Sequence, residues 1–372
     1  MGKAIDELVA LRDDPFSRAK AWKERTGKPV IGFFCCYAPE ELIHAAGALP
    51  VRITGRNAPV SSSGAHLQNY CCSLARTSLD MALEGDLDFM DGTVFVHTCD
   101  TMMRLSDIWR LNAGFEVHVD TVLPVRFEGE AAIEYMRAEI ASFRDRIAAA
   151  VGPVSDEAIA NSIKLYNRNR ELLAELYAMR LANPAILPSD KALWIVASSA
   201  LMDKSEHNAL LEKVLEELKS EGATGDKVRL FGVGSCMDQY EFVSAVEQAG
   251  GTFVDDDFCT GRRYFDTLVE EGGDPVDAIV KRLTDRAMCP CKNRPSDGRA
   301  DDILDRAKAA DAAGAVFFQF KFCEPHAFDY PHIKKALDGA GIPSLLLEIE
   351  QGSVSIEQLR TRVEALIETI RG

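Results

Sequence analysis

At 372 residues the chain is too long for one compact core and reads as two domains. Its 47% hydrophobic and 27% charged composition is that of a globular protein, and a net charge of −16 argues against a nucleic-acid partner, which would want a basic stripe, and against an anionic membrane surface. No basic-then-apolar leader opens the sequence and no apolar run approaches the ~18 residues of a membrane span, so the expected location is cytoplasmic.

Strand and helix signals alternate along the chain. Residues 28–34 read as a strand, 39–46 as a helix opening at Pro39, and 49–53 as a short strand. A helix over 74–84 is followed by strands at 92–98 and 115–123. Ile133, Met136, Ile140, Phe143 and Ile147 then step by three and four, one face of an amphipathic helix that Gly152-Pro153 ends. Ser155, with Asp156 and Glu157 behind it, opens the next helix with a cap and an acidic first turn, and that helix runs to about Leu181. In the second half strand-like runs fall at 192–197, 228–233, 251–254, 315–320 and 344–349. Helical stretches at 207–220, 239–249, 274–286 and 299–312 lie among them. Such alternation predicts an α/β chain with parallel sheets covered by helices. The expected organisation is two Rossmann-like (flavodoxin-like) domains, 1–128 and 189–372, joined by a helical segment over 129–188.

Ten cysteines are placed along this pattern. Cys35, Cys99, Cys236, Cys259 and Cys323 each follow a strand-like run, at the carboxyl edge where open α/β sheets bind ligands. Five cysteines fall in each half, so two sets would face one another across a domain cleft. A reducing cytosol argues against a disulfide framework. Thiolates are soft ligands that select zinc, copper(I) or iron–sulfur clusters. Zinc sites usually draw on tight pairs such as C-x2-C. Here the close spacings are Cys35-Cys36, Cys71-Cys72 and Cys289-Pro290-Cys291. Single thiols on several loops suit a larger inorganic cluster better than one zinc ion, though zinc stays open, and some of the ten are expected to be buried packing residues.

Several other residues invite a chemical reading. His97, His326, Glu324, His66 and Asp100 lie within a few residues of cysteines and could move protons beside a reduced cluster. The plainer alternative is that they are loop residues satisfying nearby backbone groups. Arg76 and Arg104 follow cysteine loops and could hold a carboxylate or phosphate, or form surface ion pairs. Gly232-Val233-Gly234 could begin a dinucleotide fingerprint, but Met237 stands where the third glycine belongs, so a tight turn at the strand end is expected. No G-x-x-x-x-G-K-[ST] run occurs, which excludes ATP hydrolysis by the P-loop route for this chain alone.

Taken together, VIGFFCCYAPEELIHAAGALPVRITG, CSLARTSLD, DFMDGTVFVHTCD, FVDDDFCTGRR and FFQFKFCEPH resemble the superfamily of 2-hydroxyacyl-CoA dehydratases and ATP-dependent benzoyl-CoA reductase subunits. The resemblance covers nearly the whole chain. It implies that Cys72, Cys99 and Cys323 hold one cubane cluster. Cys35, Cys259 and the MCPCKNR segment with Cys289 and Cys291 are additional, and look like the branch of double-cubane cluster proteins. That branch implies an 8Fe-9S cofactor held by six thiolates, here Cys35, Cys72, Cys99, Cys259, Cys291 and Cys323, with Cys289 able to stand in for Cys291. Cys36 and Cys71 are expected to be packing or supporting residues, and Cys236 has no motif counterpart. The resemblance further implies a reductase of a small molecule, supplied with electrons by a separate ATP-dependent activator that carries its own 4Fe-4S cluster. A homodimer is expected, with a heterodimer open. The alternatives are a dehydratase or aroyl-CoA reductase subunit with one 4Fe-4S cluster and an acyl-CoA substrate, and a metal-binding protein without turnover.

Overall fold

Four short apolar runs of the N-terminal half pair into a parallel sheet in the computed structural model, which describes residues 2–219, 225–237, 239–292 and 298–372. They are β1 (Val30–Phe33), β2 (Leu49–Arg52), β3 (Gly92–Val96) and β4 (Val117–Thr121), in the order β2-β1-β3-β4. The C-terminal half repeats this with β5 (Val228–Gly234), β6 (Gly251–Asp257), β7 (Gly314–Phe320) and β8 (Ser344–Ile349), in the order β6-β5-β7-β8. Both halves therefore have the same winding. In each, strand order reverses between the first and third strands, which opens a crevice at their carboxyl ends. The expected α/β class and paired parallel sheets are thus found.

Helices cover the sheets. The N-terminal half carries α1 (Lys3–Ala10), α2 (Ser17–Thr26), α3 (Glu40–Ala45), α4 (Ser73–Leu83) and α5 (Asp100–Asn112). Next come α6 (Glu130–Ala150), α7 (Asp156–Ala182), α8 (Ser189–Ser198) and α9 (Lys204–Lys219), so the helical stretch reaches Lys219. The C-terminal half adds α10 (Tyr240–Gln248), α11 (Arg262–Phe265), α12 (Pro275–Asp285), α13 (Gly298–Ala309), α14 (Glu324–Gly339) and α15 (Ile356–Arg371). On α6, Met136, Ile140, Phe143 and Ile147 form the buried face, while Ile133 is exposed. Ser155 caps α7 by accepting a hydrogen bond from the Ala158 amide at 3.1 Å. No helix of the described residues is long and apolar enough to cross a membrane.

Three sequence expectations change. Residues 192–197, read as a strand, lie inside α8. The run Ala192, Leu193, Trp194, Ile195, Val196 is buried all round, and a short apolar run of that kind fits a buried helix as well as a strand. The Glu247 carboxylate settles the helix by accepting the Ser189 amide and hydroxyl at its first turn. Strand β6 runs past Val254 through Asp255, Asp256 and Asp257, because buried arginines and Tyr177 receive these carboxylates. Gly232 and Gly234 lie within β5, not in a turn. A Cβ at Gly232 would stand 2.6 Å from the Phe258 ring, so the glycine is required by packing. Residue 220, the expected end of α9, lies outside the described residues, as do 293 and 294 of the MCPCKNR segment.

Behind the first crevice a buried polar network locks α3 against α7, α9 and α11. Arg170 on α7 donates to Glu41, and to Asn167 Oδ1 at 3.1 Å. Lys204 Nζ donates to the Tyr264 hydroxyl at 2.7 Å, which donates to Glu40 Oε2 at 3.0 Å. These groups fix the turn that follows Cys35 and Cys36. Replacing Arg170 with Met strands the Glu41 carboxylate, and urea denaturation should register a loss of about 3–5 kcal/mol. A loss under about 1 kcal/mol would show that the network does not hold the turn.

His207 makes a second test. Its Nδ1 accepts from Asn169 Nδ2 at 2.9 Å and its Nε2 donates to the Ile195 carbonyl at 3.1 Å, so the ring is neutral. Burial first, then the Lys204 charge, push its pKa down to about 3. The unfolded chain takes a proton near pH 6.5 that the folded chain refuses until about pH 3. Stability from this group is therefore complete above pH 6.5 and falls with pH below it, by up to about 1.4 kcal/mol per unit. Unfolding curves of wild type and His207→Gln should diverge in slope between pH 6.5 and pH 4, the variant being flatter.

Candidate metal centre

Equivalent loops of the two halves carry equivalent thiols. Cys35 stands two residues beyond the end of β1 at Phe33, and Cys236 two beyond the end of β5 at Gly234. Cys99 stands three beyond the end of β3 at Val96, and Cys323 three beyond the end of β7 at Phe320. Cys99 and Cys323 are also the residues that open α5 and α14, and Cys72 opens α4. Helix starts offer free amides and a positive dipole end, which suit a thiolate. Cys72 receives the Ala75 amide, Cys99 those of Thr101 and Met102, and Cys323 that of His326.

The two crevices meet. A cavity of about 100 Å³ between the domains is lined by nine of the ten cysteines, all but Cys71. Its remaining wall includes Phe34, Leu74, Met102 and Phe320, together with Arg52, Arg263 and His326. Among the described residues no aspartate or glutamate lines it. A larger cleft of about 410 Å³ lies elsewhere, beside Arg12, Trp194 and Tyr240, and holds no cysteine. Its arginines are already engaged, Arg12 with Asp190 and Arg56 with Glu84 and Asp86.

Contacts across the domains hold this wall in place. Helix α4, which begins after Cys72, is tied to the loop after β8. Gln351 N donates to Ser73 Oγ at 3.1 Å, Thr77 Oγ1 donates to Gln351 Oε1 at 3.0 Å, and Arg76 meets Glu350 at 2.7 Å. From the end of β2, Arg52 reaches across to the Cys259 carbonyl at 2.6 Å, Cys259 Sγ at 3.0 Å and Cys236 Sγ at 3.5 Å. Cys236 and Cys259 have their sulfurs 3.3 Å apart. Arg286 donates to the Cys36 carbonyl and to that of Arg263.

The thiols differ in acidity accordingly. Burial pushes Cys72 up to about 11 and raises Cys323 as well. Cys259 is lowered to about 7, by its hydrogen bond with Cys236 and then by the Arg52 charge. Cys289 is lowered to about 6, first by the Cys291 thiol and then by Arg263. Burial opposes the charges of Arg52 and Arg263, but Asp257 and the surrounding thiols outweigh it and hold both guanidiniums protonated.

The sequence-predicted ligands Cys35, Cys72, Cys99, Cys259, Cys289, Cys291 and Cys323 all line the cavity. Cys36 and Cys236 line it too. Cys236 could have been found from its offset after the first strand of its half, which repeats that of Cys35. Of the candidate proton-moving residues, His326 is at the cavity wall, and burial followed by Arg263 and Arg299 keeps its imidazole neutral. His97 is not among the lining residues; its Nε2 meets Asp120 Oδ1 at 2.8 Å. Glu324 is exposed on the first turn of α14, and His66 and Asp100 are exposed as well. Arg104 is an exposed partner of Asp107, whereas Arg76 is buried against Glu350, not on the surface. Arg52 and Arg263 were not singled out from sequence, although both lie inside quoted motifs, Arg52 in VIGFFCCYAPEELIHAAGALPVRITG and Arg263 in FVDDDFCTGRR.

The donor set fits an iron–sulfur cluster. It is all soft thiol, without the hard carboxylates that magnesium or calcium would take, and two guanidiniums supply positive charge. Among the described residues no three His, Cys, Asp or Glu side chains close on a single-ion position.

A family profile described as 2-hydroxyglutaryl-CoA dehydratase, D-component, matches residues 35–370. The chain is 28% identical to the (R)-phenyllactyl-CoA dehydratase beta subunit of Clostridium sporogenes, over 99% of either chain. It is 26% identical to a benzoyl-CoA reductase subunit of Thauera aromatica, over 99% of this chain and 98% of that one. To the (R)-2-hydroxyglutaryl-CoA dehydratase beta subunit of Acidaminococcus fermentans it is 25% identical, over 98% of each.

Cys71 offers the internal control. It is buried but does not line the cavity. Cys71→Ala should keep the wild-type metal content per chain, measured by plasma emission after anaerobic purification, and a clear loss would move Cys71 into the site.

Proposed function

Since the chain belongs to the family of the 2-hydroxyglutaryl-CoA dehydratase D-component, an enzyme family, we propose that it is an iron–sulfur reductase component whose thiols hold an 8Fe-9S double-cubane cluster. The observation that carries this reading is the surplus of thiols: nine line one interdomain cavity, where a single cubane needs at most four. The residues that would hold the cluster are Cys35, Cys72, Cys99, Cys259, Cys291 and Cys323, with Cys289 able to replace Cys291. Bound there, such a cluster supplies one-electron transfer at low potential.

The chain's own residues prepare the cavity for it. Phe34, Leu74, Met102 and Phe320 give the cavity an apolar wall beside the thiols. Arg52 donates N–H groups to two of the sulfurs. His326 brings to the wall a neutral ring, which carries one N–H donor and one acceptor nitrogen and can hold a substrate or pass a proton. The reaction proposed is reduction of a small molecule in the cleft, with electrons delivered singly by a separate ATP-dependent activator carrying its own 4Fe-4S cluster. The named relatives are subunits, which supports assembly with a further chain, a second copy or a related subunit.

A second reading keeps the fold and uses only Cys72, Cys99 and Cys323 for one 4Fe-4S cluster, in a 2-hydroxyacyl-CoA dehydratase or aroyl-CoA reductase subunit. The placement of all three at helix starts, and the acyl-CoA names of the relatives, favour it. Iron and acid-labile sulfide analysis separates the two. About eight irons per chain with slightly more sulfide is expected, about four would support the second reading, and zinc without sulfide would overturn both. In the same assay Cys35→Ala and Cys259→Ala should each lower the iron content. If neither does, the additional trio is misassigned.

A further inference from the structure

Positive charge is not spread evenly around the thiol cavity. Arg52 closes one side, with its Nη2 3.0 Å from Cys259 Sγ and 3.5 Å from Cys236 Sγ. Arg263 closes the same side. It is 1% exposed, it is one of the cavity's lining residues, its Nη2 donates to the Gly234 carbonyl, and its Nη1 has no hydrogen-bond partner. Arg286 stands behind them, bonded to the carbonyls of Cys36 and Arg263.

This cationic wall is braced from the rear. Asp257, fully buried at the end of β6, lies 3.7 Å from Arg263 Nε and is also paired with Arg299 and Arg306. Arg263 is thus fixed in place while one edge of its guanidinium is left without a partner. A buried arginine N–H without an acceptor is costly unless an anion completes it.

The other side is built differently. Cys72, Cys99 and Cys323 rely on backbone amides at the starts of α4, α5 and α14. The cation next to Cys72 is Arg76, and its charge is taken by Glu350 at 2.7 Å. Adding an electron to a cluster adds negative charge. Nearby positive charge and N–H bonds to its sulfurs therefore make the reduction potential more positive.

We infer that Arg52 and Arg263 are positioning residues that make the two sides of the cavity electrochemically unequal. The side of the ligands Cys35 and Cys259, with Cys36 and Cys236 beside them, holds the more positive couple. The side of Cys72, Cys99 and Cys323 holds the more negative one. This rests on the double-cubane reading above, and goes beyond it by assigning an order to the two halves and residues that set it.

The test is a redox titration of anaerobically purified protein, poised with a chemical one-electron reductant and followed by electron paramagnetic resonance. Iron and sulfide are measured on the same samples. Wild type is compared with Arg263→Met, Arg263→Lys and Arg52→Met. Either Met variant should lower the upper couple by at least a tenfold change in the reduced-to-oxidised ratio at fixed potential, about 59 mV for one electron. The lower couple should stay in place. Arg263→Lys, which keeps the charge, should recover part of the shift. Arg52→Met carries the test if Arg263→Met does not fold, which thermal unfolding reports. Full iron content with the upper couple unmoved, or with both couples moved equally, overturns the inference alone. A wild type with about four irons and one couple overturns it together with the double-cubane reading.

Discussion

Nine thiols around one cavity are hard to keep together. Buried thiolates repel one another, and each costs desolvation energy unless it gains a hydrogen bond, a positive charge or a metal. The rest of the structure follows from how that constraint is met. Two sheets of the same winding direct their carboxyl ends at a shared space, so the nine sulfurs arrive on seven loops, Cys35 sharing one with Cys36 and Cys289 one with Cys291. Helix starts stabilise one group and arginines the other. The polar network of Glu40, Glu41, Arg170, Lys204 and Tyr264 keeps the Cys35-Cys36 turn from relaxing away.

Duplication of the winding also explains why the thiols come in matched positions. Cys35 and Cys236 follow the first strands at the same offset, and Cys99 and Cys323 follow the third strands at the same offset. The match is incomplete where function would need asymmetry. After the second strand of the C-terminal half stands Cys259, whereas the second strand of the N-terminal half ends in Arg52, whose guanidinium crosses to meet that very thiol. One half brings the sulfur and the other brings its charge.

Much of this was legible in the sequence, for identifiable reasons. Thiols after strand-like runs were readable because parallel strands deliver their loops to one edge, and Cys72 was readable through the motif around α4. The strand expected at 192–197 failed because ALWIVA is apolar throughout and fits either form, and Glu247 from another helix fixes the first turn of the helix. The end of β6 was missed because three aspartates look like a loop until the buried arginines beside them are known. Arg52 and Arg263 were invisible for the same reason: the partners of Arg52 stand across the domain boundary, and those of Arg263, Asp257 and the Gly234 carbonyl, come beside it only in the folded chain. Proximity in sequence does not by itself put a side chain on the cavity: His97 and Glu324 neighbour cysteines and are not among the lining residues, while His326, one helical turn beyond Cys323, is.

The central claim is that the thiols of both halves share one iron–sulfur assembly in the interdomain cavity. An anaerobic crystal structure of the purified protein, with anomalous scattering recorded at the iron edge, addresses it most directly. Iron peaks are expected on both sides of the cavity, beside Cys72, Cys99 and Cys323 and beside Cys259, which Arg52 contacts. Iron confined to the first three cysteines, or absent from the cavity, would contradict it.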